Sequence, residues 1–462
     1  MDNFSGKKIL ILGAGVTGLA CARSLQSRGA EIALADDNIE SIQDFRVAKP
    51  ETFNIGDWDS LLISPGLKHT HPLIQSALNA NIELLNEIDV AWDIRNIVSP
   101  GQRWVAVTGT NGKTTTVEMT AAMISESGVT AIACGNVGET VIECVERVGA
   151  YDVLVLELSS FQLHWLRKAQ FICAAILNIA DDHLDWHGSF DAYAHDKISL
   201  LDHTPIAILN ADDSEVVTRT LHWQGRKIFF STNTPMPGEL GVVEDLIVDR
   251  AFVPDPQEAA ALASILDIKP TVPHSVSNAL AASGIARCLG VSPESIESAL
   301  QKFTLGRHRI EKVHESKDVI WIDDSKATNP HAAAASLLSA FSVIWIAGGL
   351  AKGAKMEELI SRTKSRIKTA ILIGQDRQLI ADQLRSQAPH VEILEVDPPQ
   401  DYHPGGESNS FMEAVVRTAQ SRAKPGDTVL LAPACASMDQ FISYGDRGDR
   451  FTAAVKKEIT HG

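Results

Sequence analysis

No uninterrupted apolar run in this chain reaches membrane length, so no bilayer-spanning segment is expected. The opening stretch Met1-Asp2-Asn3-Phe4-Ser5-Gly6-Lys7-Lys8 is polar and leads into Ile9 to Leu12 and then glycines, so no export signal is expected either. Basic charge is scarce. Lys plus Arg number 41 against 58 Asp plus Glu, a formal net charge of −17 at pH 7, which argues against non-specific nucleic-acid binding but leaves room for a local phosphate pocket. The six cysteines, Cys21, Cys134, Cys144, Cys173, Cys288 and Cys435, lack paired metal-type spacing and sit in mostly apolar surroundings, so they read as reduced core thiols. There is no internal repeat and no low-complexity tract. A chain of 462 residues with these absences is expected to be a cytoplasmic enzyme of about three domains, without nucleic-acid or membrane partners.

What is present is an alternation of short β-rich runs with helical stretches, the pattern of mainly parallel sheets covered by helices, hence an α/β fold. Residues 1–98 hold a strand Ile9 to Leu12, a Gly-rich turn, a helix from about Thr17 to Arg28 and a strand Ile32 to Ala35. Ser99-Pro100-Gly101-Gln102 reads as a linker. Residues 99–305 hold strands Trp104 to Val107, Val153 to Leu158, Ala174 to Leu177 and Ile206 to Leu209, with a helical stretch Ser275 to Leu289. Between 221 and 272 the prolines and short β-branched runs suggest small antiparallel strands, an inserted meander. After a hinge at Leu305-Gly306-Arg307, residues 306–462 alternate again, with strands at Val319 to Ile322, Val343 to Ala347, Ala370 to Ile373 and Val429 to Leu431.

The chemistry concentrates in Val107-Thr108-Gly109-Thr110-Asn111-Gly112-Lys113-Thr114-Thr115. A strand delivers the chain to a tight turn, glycines let backbone N–H groups face an anion, and a helix N-terminus adds its positive dipole end. Lys113 would neutralise β/γ-phosphate charge and the Thr114 hydroxyl would ligate Mg²⁺, although the span Gly109 to Gly112 is shorter than in the usual nucleotide loop. Glu157, ending its strand, places a carboxylate at the crevice where Mg²⁺ prefers a few protein oxygens plus phosphate. His183 follows the next strand, and His183 with His187 would suggest zinc were there a third ligand.

Gly13-Ala14-Gly15-Val16-Thr17-Gly18, with Asp36 beyond it, matches a dinucleotide fingerprint. Alone it would make the chain an NAD-dependent oxidoreductase. A γ-phosphate loop in the same chain favours a different occupant, the diphosphate of a UDP-linked substrate, with Ser64-Pro65-Gly66 either closing over it or forming a plain turn.

Gly-Thr-Asn-Gly-Lys-Thr-Thr at 109–115, Glu-Leu-Ser-Ser-Phe-Gln-Leu at 157–163, Asn-Ile-Ala-Asp-Asp-His-Leu-Asp at 178–185, Asp-Asp-Ser-Lys-Ala-Thr-Asn-Pro at 323–330 and Leu-Ala-Pro-Ala-Cys-Ala-Ser-Met-Asp-Gln-Phe at 431–441, followed by Arg447-Gly448, resemble the Mur ligases. The resemblance spans essentially the whole chain. It implies a Rossmann-like N-terminal domain for the UDP group, a central P-loop-type ATPase domain and a Rossmann-like C-terminal domain for the amino acid. The implied reaction is ATP-dependent addition of D-glutamate to UDP-N-acetylmuramoyl-L-alanine through an acyl phosphate, in cytoplasmic peptidoglycan precursor synthesis, by a bacterial monomer. Asp-Ser-Lys-Ala-Thr-Asn is the segment that distinguishes this activity from sister amide ligases such as folylpolyglutamate synthases.

By matching motif positions, the resemblance implies that Gly109, Thr110, Asn111, Gly112, Lys113, Thr114 and Thr115 hold ATP phosphates, with Asn278, Arg309 and Asp324 on the nucleotide. Two Mg²⁺ ions would be served by Thr114, Glu157, His183 and Lys197, the last as a carbamate, because an ammonium would repel the cation. Gly15, Val16, Thr17, Asp36, Gly66 and Asn136 would meet the UDP substrate. Lys326 would join Lys113, Lys197 and His183 at the reacting centre, and Thr328, Lys352, Ser437 and Met438 would bind D-glutamate. The loop Gly348-Gly349-Leu350-Ala351-Lys352 lacks an aspartate found in some members. His308 is a candidate base for the incoming amine on chemical grounds alone. A non-catalytic nucleotide switch would have no use for Lys197 or for Asp324-Ser325-Lys326 as functional groups.

Overall fold

The computed structural model describes residues 4–39, 41–255 and 257–460, so Met1-Asp2-Asn3 of the polar opening segment lie outside it. Two compact units result, one of Met1–Ile179 with Ala194–Phe303, the other of Ala180–Tyr193 with Thr304–Gly462.

The first unit contains two sheets. Strands Arg46–Ala48, Glu31–Ala35, Lys8–Leu12, Ser60–Ile63 and Glu83–Leu85 lie side by side in that order, all parallel. Ile9, Leu10, Ile11, Leu61 and Leu62 are buried, as expected of parallel strands covered on both faces. The second sheet has nine strands, in the order Ala260–Ser264, Leu246–Asp249, Leu240–Val243, Arg226–Phe230, Ile206–Asn210, Ala174–Ile176, Arg103–Thr108, Val153–Glu157 and Ala131–Gly135. The segment expected to be an inserted meander therefore continues this sheet. Arg226–Phe230 pairs parallel to Ile206–Asn210, and only the hairpins beyond it turn antiparallel. Alternation in Arg226-Lys227-Ile228-Phe229-Phe230 is broken by its last apolar pair, which hid the strand from a period-two reading.

Within this unit the two sheets are stapled by buried polar groups. Asp89, on helix Glu87–Val98, accepts backbone N–H groups of Arg167, Lys168 and Ala169 at 2.8–2.9 Å and the Asn86 side-chain amide at 2.6 Å, while Asn86 also reaches the Trp165 carbonyl at 2.7 Å. Glu87 accepts the Ile142 N–H at 3.1 Å, at the start of helix Val141–Glu146. Burial pushes the Glu87 carboxyl up to about 7 despite its bonds from Ile142 and Val141, and the Glu143 charge adds to the rise.

The second unit is built on six strands in the order Glu311–Ser316, Val319–Asp323, Thr428–Leu431, Val343–Gly348, Ile367–Ile373 and Glu392–Glu395. All neighbours are parallel except the first pair. Its two cores flank the sheet, one around Trp345, Leu372 and Leu384, the other around Trp321, Phe411 and Phe451. Among the described residues of both units no helix is long and apolar enough to cross a membrane.

Candidate active site

Strand Arg103–Thr108 has neighbours Val153–Glu157 on one side and Ala174–Ile176 on the other, so its carboxyl end opens at a switch point of the sheet. The phosphate loop starts there and runs into helix Lys113–Glu126. Gly112 sits at φ +83°, and a Cβ on it would lie 2.3 Å from the Asn278 side-chain oxygen, so both backbone conformation and space demand glycine. That contact puts Asn278, on helix Pro273–Cys288, against the loop, where the sequence reading expected a nucleotide contact. Asn178, just beyond strand Ala174–Ile176, holds the loop from the other side. Its carbonyl accepts Thr110 N–H at 2.9 Å, its side-chain oxygen accepts Asn111 N–H at 2.8 Å, and its amide donates to the Asn111 carbonyl at 3.1 Å.

Two lysines converge on this turn. Lys113 Nζ donates to the carbonyls of Gly109 and Thr110 at 2.9 and 3.0 Å, and the buried Lys197 Nζ donates to Gly109 at 2.8 Å. Beside Lys197, Asp196 meets His164 at 3.0 Å. Thr114 and Thr115 are buried in the first turn of the helix. Glu157 is 2% exposed; one carboxylate oxygen accepts the Asn136 amide at 2.8 Å, and Oε2 has no hydrogen-bond partner among the described residues. A buried carboxylate oxygen left unsatisfied is costly, and a hard cation is the kind of group that would satisfy it. Oxygen donors from Thr114 and Glu157 thus fit Mg²⁺. His183 belongs to the segment that groups with the second unit, at φ +53° ahead of the short helix Leu184–His187, with Nε2 3.7 Å from Asp182. His187 packs against the rings of Trp186 and Tyr193 at 4.5 and 5.2 Å, and among the described residues neither it nor His183 belongs to a group of three His, Cys, Asp or Glu side chains able to hold a metal ion.

In the smaller sheet the glycines of the first turn have separate reasons. A Cβ on Gly18 would sit 1.9 Å from the Gly13 carbonyl, and one on Gly13 would sit 2.5 Å from Ser64 Oγ, whereas Gly15 faces open space. Gly15 caps helix Val16–Ser27, where Val16 is 76% exposed and Thr17 follows in the first turn. Asp36 accepts the Ala14, Asn38 and Ile39 N–H groups at 2.8, 2.8 and 3.0 Å. Burial alone would raise its carboxyl, but these backbone bonds outweigh it and hold the group below the usual carboxylate range. Its carboxylate therefore ties the Gly-rich turn to the end of strand Glu31–Ala35. Gly66 lies in the turn after strand Ser60–Ile63 with nothing near its Cβ position.

In the second unit, Asp323 and Asp324 follow one another at a strand end and do different work. Asp323 is fully buried, 2.7 Å from His308 Nδ1, and this partner lifts the His308 imidazole above its ordinary value against the opposing effect of burial. A Cβ on Gly448 would lie 2.2 Å from that imidazole nitrogen, so the pair also dictates glycine there. Asp324 accepts the Ser336 hydroxyl and the Ile310 N–H, and burial raises it to about 6. Arg309 lies between His308 and Ile310, both at positive φ. Lys326 holds its ammonium 3.9 Å above the Tyr444 ring. Leu350 and Ala436 exchange backbone hydrogen bonds at 2.9 Å, which brings the Lys352 loop, with Lys352 at φ +51°, beside buried Ser437 and exposed Met438. Arg447, fully buried, donates to the Ser325 hydroxyl and carbonyl at 2.9 and 3.0 Å and to the Cys435 carbonyl at 3.3 Å. Thr328 is half-buried, its N–H bonded to the Lys326 carbonyl at 2.8 Å.

Family models match in chain order along the sequence: a Mur ligase MurD-like N-terminal domain over residues 7–86, the Mur ligase middle domain over 107–286 and the Mur ligase glutamate ligase domain over 308–435. The chain belongs to the Mur ligase family. A UDP-N-acetylmuramoylalanine–D-glutamate ligase of Streptomyces coelicolor is 42% identical, with 99% of each chain covered, and one of Mycolicibacterium smegmatis is 39% identical over 98% of this chain and 97% of its own. Solved structures share the fold. The pseudomurein peptide ligase type C of Methanothermus fervidus superposes with a TM-score of 0.59 at 19% identity, covering 98% of this chain and all of that one. The MurF ligase of Thermotoga maritima, solved with ADP, gives 0.59 at 15% identity over 100% and 97%.

In this Mur ligase, sequence reasoning passed over Asn178, Asp89, Tyr444 and Arg447 as site-shaping residues. For Asn178 a signal existed, since a polar residue directly after a buried strand at the switch point is where a loop anchor belongs. Asp89 gave none, because its backbone partners at Arg167, Lys168 and Ala169 are far away in sequence, and Arg447, though part of a motif that carries the resemblance, gave no hint that it would reach the Ser325 hydroxyl and carbonyl.

Proposed function

We propose that the chain is the ATP-dependent ligase that joins D-glutamate to UDP-N-acetylmuramoyl-L-alanine in peptidoglycan precursor synthesis, acting in the cytoplasm as a monomer. The observation that carries this reading is one chain with two anion cradles, a Gly-rich turn of UDP-site type and a Lys-bearing phosphate loop flanked by a buried, half-satisfied carboxylate. The full-length likeness to ligases of that name supports it. Residues 1–98 would bind the UDP substrate, 99–305 ATP and 306–462 the amino acid.

A carboxylate is a poor electrophile and its charge repels the γ-phosphate. Lys113, released from the Gly109 and Thr110 carbonyls, and the N–H groups of Gly109 to Thr115 would draw the phosphate charge as the γ-phosphoryl moves to the alanyl carboxylate and ADP leaves. Thr114, Glu157, His183 and a Lys197 carbamate would hold two Mg²⁺ ions, which supply charge neutralisation when bound. Asn278, Arg309 and Asp324 would hold the nucleoside. Val16, Thr17, Asp36 and Gly66 would fix the UDP end, and Asn136 would orient Glu157. Lys352, Thr328, Ser437 and the Met438 backbone would grip the glutamate carboxylates while its amine attacks the acyl carbon, and Lys326 would face the tetrahedral centre as phosphate departs.

Phosphate release measured across a panel of acceptors and amino acids tests the reading. It should require UDP-N-acetylmuramoyl-L-alanine and D-glutamate together; equal turnover with L-glutamate would refute the stereochemical assignment. Lys197→Ala should lose activity and regain part of it with a small added carboxylate. Fully active wild-type protein whose Lys197 peptide carries no carbamate by intact-mass analysis would remove that role.

A further inference from the structure

The first unit holds a cavity of about 400 Å³, and none of the residues assigned above to the UDP substrate, ATP or glutamate lines it. Part of its wall is apolar. Leu78, on helix Pro72–Asn79, and Leu84 and Leu85, ending strand Glu83–Leu85, supply that part. The rest is aromatic and basic. His164 and Trp165 come from the end of helix Ser160–Trp165, Arg167 follows them, and His69 comes from the segment after strand Ser60–Ile63. The imidazoles of His69 and His164 lie 5.7 Å apart, and Trp165 meets His164 edge to face at 4.7 Å. Elements of both sheets of this unit therefore contribute to one cavity.

Trp165 carries the observation that points to a ligand. Its side chain lies in the core, 8% exposed, and its indole N–H has no hydrogen-bond partner among the described residues. Burying a donor without an acceptor costs free energy, and such groups are rare enough in folded proteins that each needs a reason. An acceptor oxygen brought by a guest would satisfy it.

The sign of the lining narrows the guest. Arg167 is exposed, and one of its guanidinium nitrogens donates to the His164 and Leu166 carbonyls at 2.8 and 2.6 Å, which fixes its charge beside this wall. No aspartate or glutamate lines the cavity. The nearby acids are engaged elsewhere, Glu83 with Lys7 and Lys168 at 3.6 and 3.8 Å, and Asp196 with His164 Nδ1 at 3.0 Å. A cation would gain nothing here, and a small polar anion would leave leucines and rings uncovered. An aromatic carboxylate uses both halves, its ring against apolar side chains and its oxygens toward donors.

We propose that this cavity is a binding site for a small aromatic carboxylate, whose ring lies against Leu78, Leu84 and Leu85 and whose carboxylate accepts the Trp165 indole N–H in the field of Arg167.

Nuclear magnetic resonance on the full-length protein with isotope-labelled tryptophan tests it, and the measurement needs neither ATP nor turnover. Of the eight indole N–H resonances, the one lost in Trp165→Phe belongs to Trp165. Naphthoate should move that resonance saturably, and Trp165→Phe should weaken naphthoate binding several-fold by calorimetry. Arg167→Gln should weaken naphthoate several-fold while leaving the affinity of the uncharged naphthalenemethanol unchanged. Leu78→Trp, which adds bulk to the wall from a position 49% exposed, should abolish the shift and keep basal phosphate release. Should Trp165→Phe fail to fold, the other two variants, both at exposed positions, carry the test. A Trp165 resonance unmoved at millimolar naphthoate, or equal affinity for the uncharged alcohol, overturns the proposal. So does displacement of naphthoate by uridine diphosphate, ATP or D-glutamate, which would put the probe in a site already described.

Discussion

At the scale of single residues, the site depends on groups that orient other groups. Asn136 binds Glu157 at 2.8 Å and leaves the other carboxylate oxygen without a hydrogen-bond partner among the described residues. Asn136→Ala should lower activity by roughly 10–100-fold, with partial recovery as Mg²⁺ is raised; a loss insensitive to Mg²⁺ would place Asn136 on substrate alone. Glu87 offers a stability test. Its carboxyl keeps its proton up to about 7 in the fold against an ordinary 4.5, so the folded state binds more protons between those values and stability falls as pH rises through that window. Thermal or urea unfolding should show wild type losing on the order of 3 kcal/mol relative to Glu87→Gln between pH 4.5 and pH 8, and parallel pH profiles would contradict the burial argument. Lys113, Thr114 and Glu157 were legible in sequence because each sits where a motif or a strand end announces chemistry. Tyr444 was not, since nothing in its neighbours reveals that Lys326 will lie over its ring.

At the scale of elements, the loop-to-helix junction at Gly112 is the most exacting. Gly112→Ala must adopt φ +83° and meet Asn278, a strain of about 1–3 kcal/mol. It should raise KM for ATP and lower Tm, and adding Asn278→Gly should restore part of the Tm by removing the clash while leaving the backbone strain; no recovery would show that conformation alone decides. The central parallel strands were legible because burial on both faces makes them continuous apolar runs, as in Val343–Gly348. Glu311–Ser316 and Glu392–Glu395 escaped because edge strands, half exposed and charged, carry no such run.

At the scale of the molecule, three sheets resolve into two compact units, and the first unit holds two of them together through Asp89. Asp89→Ala would remove the acceptor of three N–H groups, of which the one from Ala169 is buried and would be left unsatisfied at about 1–3 kcal/mol. Denaturant unfolding tracked by intrinsic fluorescence should then broaden or split as the smaller sheet loosens, and a single transition at unchanged midpoint would show the staple to be incidental. The alternation of strands and helices made the α/β class legible, but contacts such as these join segments with no common pattern. Arg447 makes another of them. By donating to both Ser325 and Cys435, it makes the segments ahead of Lys326 and Ser437 a single mechanical part. Chimeras that graft either stretch alone from a relative should therefore fail where a paired graft with its arginine succeeds, and the two loops are expected to vary through descent only in concert.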